Sequence, residues 1–169
     1  MSVRSRLAVL VVAAAAALAV STSAAGSTPA CRAAQLRGHL LSSSGAAGTI
    51  VFSVTLTNRG ATCILRGYTQ LQLMAGARRP LPTRVVHGGL AVLSQRPRTV
   101  VLPHGGIATV LVAYGDVPSG YERRCPTGTE ILLRIPGDDT WIGVQARTNA
   151  CNHGTLRESP VLSGRRRAS

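Results

Sequence analysis

Cys151 and His153 stand two residues apart in the stretch Asn-Ala-Cys-Asn-His-Gly-Thr, residues 149 to 155. A thiolate beside an imidazole can act as nucleophile and base, or supply two ligands of a zinc site. Both roles need a reduced cysteine. The other histidines, His39, His87 and His104, are scattered, and neither Cys-x-x-Cys nor His-Glu-x-x-His occurs. The Gly-x-Ser-x-Gly elbow of many serine hydrolases is absent. Six carboxylates are present: Asp116, Glu122, Glu130, Asp138, Asp139 and Glu158. Asp138 and Asp139 could imitate the paired acids of a glycosidase. They lie inside Pro-Gly-Asp-Asp, however, where aspartate forms turns through its local backbone bonds. No glycine-rich loop joins a strand to a helix in the manner of a nucleotide site. The sequence therefore assigns no catalytic residue, no metal and no cofactor, and Cys151 needs another explanation.

That explanation begins at the N-terminus. Arg4 and Arg6 precede an unbroken apolar run of 14 residues from Leu7 to Val20, followed by small residues including Ser23-Ala24-Ala25. This is the layout of a secretory signal peptide over residues 1–25. The run is shorter than the roughly 20 apolar residues that a membrane-spanning helix needs. A lipid-modified Cys31 is disfavoured, because Thr28 stands where a lipobox has an apolar residue and Pro29 follows it. The expected mature chain is exported, without a transmembrane segment, and about 145 residues long, the size of one domain. In an exported chain, four cysteines imply two disulfides rather than free thiols.

Period-two alternation supplies the elements that would position those cysteines. In Thr49–Asn58, Ile50, Phe52, Val54 and Leu56 face one way and Ser53, Thr55 and Thr57 the other. Residues 35–41 place Leu36 and Leu40 on one face, with Arg37 and His39 opposite. Further runs occur at 69–74, 98–103, 107–114, 130–135 and 140–146. Several short strands divided by turn residues predict an all-β, immunoglobulin-like antiparallel sandwich with two disulfides. It should occupy residues 26–162, with 163–169 a disordered basic tail. Folding the chain about the turn at 136–139 brings Cys125 opposite Cys151. Folding it about 42–48 brings Cys31 near Cys63. The predicted bonds are therefore Cys31–Cys63 and Cys125–Cys151. Phe52, Tyr68, Tyr114, Tyr121 and Trp141 are the only aromatic residues, so aliphatic side chains must fill the core.

These residues, taken in order, resemble a known family: the exported actinobacterial domain catalogued as domain of unknown function 4232. The likeness runs from about residue 31 to 162. It rests on Cys31, then "VTLTNRGATCILRGY", "VVLPHGGIATVLVAY", Cys125 and the closing "CNHGTLRESPV". Thr69 stands where the family often has proline, and "PHGG" carries an extra turn residue. The resemblance implies a secreted, disulfide-linked β-sandwich and brings no active site with it.

Charge is the remaining signal. The formal net charge is +13, all 19 basic residues are arginine, and loss of Arg4 and Arg6 with the leader removes two charges to leave +11. Arginine forks match phosphate and carboxylate. The clusters are Arg78-Arg79, Arg96/Arg98, Arg123-Arg124 and Arg165-Arg166-Arg167. Five aromatic residues make a poor stacking platform for nucleic acid. The expected function is a non-enzymatic secreted or envelope-associated domain that contacts an anionic wall polymer or lipid surface. The alternative is a secreted hydrolase whose site sequence does not reveal. A one-sided arginine face would favour the first, and a cleft with convergent Ser, His and Asp the second.

Overall fold

The computed structural model describes residues 27–168; the expected leader lies outside the described residues. Two hairpins organise the molecule. Strands β1 (Leu36–Ala46) and β2 (Thr49–Asn58) pair antiparallel, with Leu36 opposite Asn58. Ala47 and Gly48 join them, both at positive φ (48° and 77°), the mirror-image turn that suits the twist of a hairpin. Most of the expected 42–48 loop is thus strand. A register shift between Leu40 and Ser42 interrupts β1, and Leu40 is 42% exposed. Leu36 is buried as expected; Leu40, still in register opposite Val54, keeps to the same face but lies next to the bulge on the edge strand, where it is less covered. The second hairpin joins β9 (Thr127–Arg134) to β10 (Trp141–Asn149). Along β10, Ile142, Val144, Ala146 and Thr148 are buried and the intervening residues exposed.

The remaining strands are β3 (Cys63–Leu65), β4 (Gln70–Ala75), β5 (Arg79–Pro80), β6 (Arg84–His87), β7 (Val100–Leu102), β8 (Ile107–Gly115), β11 (Thr155–Glu158) and β12 (Leu162–Ser163). One sheet runs β1-β2-β8-β11-β6, with β12 also on β8. The other runs β10-β9-β4-β5, and β3 pairs with β7. Pairing is antiparallel except between β11 and β6, which run parallel. Phe52, Val54, Leu56, Val110 and Val112 from the first sheet join Leu71, Leu73, Ile131, Leu133 and Val144 from the second in one aliphatic core. The chain is therefore the expected β-sandwich, held by two disulfides.

Central strand β8 is buried from Ala108 to Tyr114, on both faces, which explains its continuous apolar sequence. Its outer face meets two covers. Leu93 packs on Leu111 and Ala113, with Leu90, Val92 and Leu162 around them. Beside this apolar half lies a polar strip of Ser42, Ser53, Thr55 and Thr109, and the C-terminal segment runs across it. Thr109 Oγ1 donates to the Gly164 carbonyl (2.6 Å) and accepts from the Arg166 amide (3.1 Å). The Ala168 amide donates to Ser42 Oγ (3.0 Å). The expectation of a disordered tail is thereby corrected. Hydroxyl groups on the sheet face satisfy the tail's backbone, and the ordered domain extends beyond 162 to residue 168.

Candidate functional site

The bonds join Cys31 to Cys63 and Cys125 to Cys151, the pairs that hairpin folding predicts. Cys151 therefore offers no thiolate to His153. Asn152, His153 and Gly154 all adopt positive φ (54°, 55° and 74°), a left-handed turn. Only glycine fits its last position, where an added Cβ would lie 1.9 Å from the Pro82 carbonyl oxygen. Successive amides in such a turn form an anion-binding concavity, and here Glu122 fills it. Its carboxylate accepts from the amides of Asn152 (2.5 Å) and His153 (3.1 Å). The backbone of His153, rather than its ring, makes the structural contact. Glu122, Cys125 and Cys151 lie close enough to resemble a metal cluster, but both sulfurs are in the disulfide.

A second polar group escaped sequence reading. Glu158, on β11, is fully buried. Its Oε2 accepts from Thr69 Oγ1 (2.8 Å), and Oε1 lies 3.3 Å from His87 Nε2. The His87 ring stacks on Tyr68, with centroids 3.8 Å apart. Burial raises the Glu158 carboxyl from its ordinary value to about 7, against the opposing effect of the Thr69 bond. The carboxylate stands between hydroxyl and imidazole. In a hydrolase triad the imidazole stands between, and Thr69 is itself buried. Asp138 is the turn-former expected of it, and more. Its Oδ2 accepts from the Ala33 amide (2.9 Å) and its Oδ1 from Thr140 (2.7 Å). These bonds, first that from Ala33, hold its carboxyl below the usual range.

The arginine clusters do not form one face. Arg78 and Arg79 are exposed at the β5 edge of the second sheet. Arg123 and Arg124 are exposed beside Cys125. The docked tail, by contrast, brings Arg165, Arg166 and Arg167 to the extended stretch that carries Gln95, Arg96 and Arg98. Two adjoining hollows of about 520 and 530 Å³ result, sharing Gln95, Leu162 and Arg166. No carboxylate among the described residues lines either hollow. Among the described residues the close charged contacts are Arg134–Asp139 and, when His87 is protonated, His87–Glu158, so none of these five arginines has an acidic partner among the described residues. Arg96 and Arg98 lie more than 60 positions from the tail, which is why spacing alone could not group them.

The family described as domain of unknown function (DUF4232) matches residues 31–161, and the chain belongs to it. No curated protein and no solved structure matches the chain.

Proposed function

We propose that this DUF4232 domain is an exported, non-enzymatic domain that holds an anionic envelope component in the groove lined by Arg96, Arg98, Arg165, Arg166 and Arg167. The observation that carries this reading is the convergence of two sequence-distant arginine clusters on one groove without a carboxylate among the described residues. Like charges gathered on one surface repel and draw counter-anions. The forked guanidinium groups match phosphate and carboxylate oxygens. The apolar floor, including Val92, Val100 and Leu162, also suits an anion attached to a less polar body. Export is supported by the apolar leader and by the two disulfides, which persist in oxidising compartments. No helix among the described residues is long and apolar enough to cross a membrane.

The test is co-sedimentation of the oxidised protein with wall fragments and with anionic and neutral vesicles at two salt concentrations. Binding should be confined to anionic surfaces and weaken steeply with salt, because exposed charges are screened over about 8 Å at physiological ionic strength. Replacing Arg96, Arg98, Arg165, Arg166 and Arg167 with glutamine should abolish most of it. Replacing Arg78 and Arg79, outside the groove, should have a small effect. Equal losses from the two sets would make the charge a generic surface property and overturn the reading.

A further inference from the structure

A second basic site lies at the other end of β8, independent of the groove. Arg157 sits opposite Ala113 of β8 and Val86 of β6. Its neighbours Leu156 and Glu158 are fully buried, and strand alternation turns Arg157 to the outer face. Gly89, at φ 85°, gives its guanidinium room, since an added Cβ there would lie 2.1 Å from Nη1. Among the described residues the Arg157 side chain makes no hydrogen bond and no ion pair. Asp116 and Glu122, the acids of the adjoining loop, do not reach it. Arg157 lines a pocket of about 220 Å³. Thr49 from β2, Ser119 from the loop, Asn152 from the left-handed turn and Thr155 from β11 line the same pocket. Val117, 62% exposed, stands at its rim.

We infer that this pocket binds a phosphoryl group, with Arg157 as its forked donor and Thr49, Ser119 and Asn152 as further polar contacts. A half-buried guanidinium with no protein partner calls for an anion. Polar residues from β2, the loop, the left-handed turn and β11 line the space from several sides, which suits a tetrahedral oxyanion better than a planar carboxylate. The volume is below the 300 Å³ or so of the smaller drug-sized ligand sites, so the pocket holds a headgroup while the rest of the molecule passes Val117. A soluble phosphate monoester and a phospholipid headgroup share this chemistry.

The test is an amide-resolved magnetic resonance titration of the oxidised protein with glycerol 3-phosphate, with acetate as the planar control. Phosphatidylglycerol and phosphatidylcholine vesicles distinguish the two sources. Glycerol 3-phosphate should give saturable shifts at Ser119, Asn152, Thr155 and Arg157. Arg157→Gln should weaken binding about tenfold or more, and Arg157→Lys, which keeps the charge and loses the fork, should weaken it less. Ser119→Ala, on an exposed loop, should weaken it several-fold if Arg157→Gln disturbs the fold. Phosphatidylglycerol binding that glycerol 3-phosphate displaces assigns the site to a lipid headgroup. Saturable binding without vesicle binding assigns it to a soluble ester. Acetate binding as tightly as phosphate, shifts confined to Arg165–Arg167, or no effect of either Arg157→Gln or Ser119→Ala would overturn the site.

Discussion

The two ends of the sandwich carry one disulfide each and are otherwise built on opposite plans. At the Cys31–Cys63 end, the fully buried Asn58 spends its amide on the backbone. Its Nδ2 donates to the carbonyls of Ala61 (2.8 Å), Leu102 (2.9 Å) and Pro103 (3.2 Å), and its Oδ1 accepts from the Gly60 amide (2.9 Å). Gln35 Nε2 joins the same group through Asn58 Oδ1 (3.0 Å) and the Ala61 carbonyl. At the Cys125–Cys151 end, one half-exposed carboxylate, Glu122, holds a left-handed turn, and beside it lies a pocket with an unpartnered arginine. Tyr121 and Val117 project from the adjoining loop. The disulfides do not create the contrast. Sequence separations of 32 and 26 give similar loop-closure terms, about 3 to 4 kcal/mol each. The difference lies in how many polar groups each end leaves available: the first satisfies its own, and the second keeps donors for something else.

Asn58→Ala offers the largest test of this contrast. It strands several carbonyls and the Gly60 amide, and should lower unfolding free energy by about 4 kcal/mol, since each orphaned buried group costs about 1 to 3 kcal/mol. Denaturant titration measures it. A loss under about 1 kcal/mol would erase the distinction between the ends.

Glu158, away from both disulfides, should give the next largest effect, and in pH rather than by truncation alone. Its carboxyl titrates near 4.5 when unfolded and at about 7 when folded. Between those values the folded state holds the extra proton, so stability falls as pH rises. The contribution is fully present below about pH 4.5 and is lost as pH passes 7, a change on the order of 3 kcal/mol. Glu158→Gln, which keeps an acceptor for Thr69, should flatten the pH profile of the melting temperature in that window. An unchanged slope would place the pH sensitivity elsewhere.

Glu122→Ala should have the smallest effect, about 1 kcal/mol, because its two charge-assisted bonds are partly solvated. Hydrogen exchange should rise at Asn152 and His153 and stay unchanged at Gly60. A loss equal to that of Asn58→Ala would mean that the second end is as tightly built as the first.

Much of this fold is legible in the sequence, because both hairpins are local. Alternation in β2 and β10 and the Pro-Gly-Asp-Asp turn fix two strand pairs, and the cysteine partners follow from their geometry. Leu40 misleads because alternation gives its face and not its cover: it lies on an edge strand and stays 42% exposed. The tail misleads because its attachment is polar. Ser-Gly-Arg-Arg-Arg has nothing to bury, and its partners Thr109 and Ser42 lie on distant strands. For the same reason the arginine groove, the Glu158–Thr69–His87 group and the Arg157 pocket were out of reach. Each unites residues from elements whose adjacency arises only when the sheets assemble.

The order of the two disulfides along the chain has a consequence for how the protein is made. Cys31 bonds the next cysteine to follow it, Cys63, and Cys125 bonds the next after that, Cys151. The loops neither cross nor nest. A chain oxidised as it emerges N-terminus first meets its correct partner at each step, before any competing thiol is present. In such an order wrong pairs, and the slow thiol exchange that repairs them, have less opportunity to arise than in a crossed or nested arrangement.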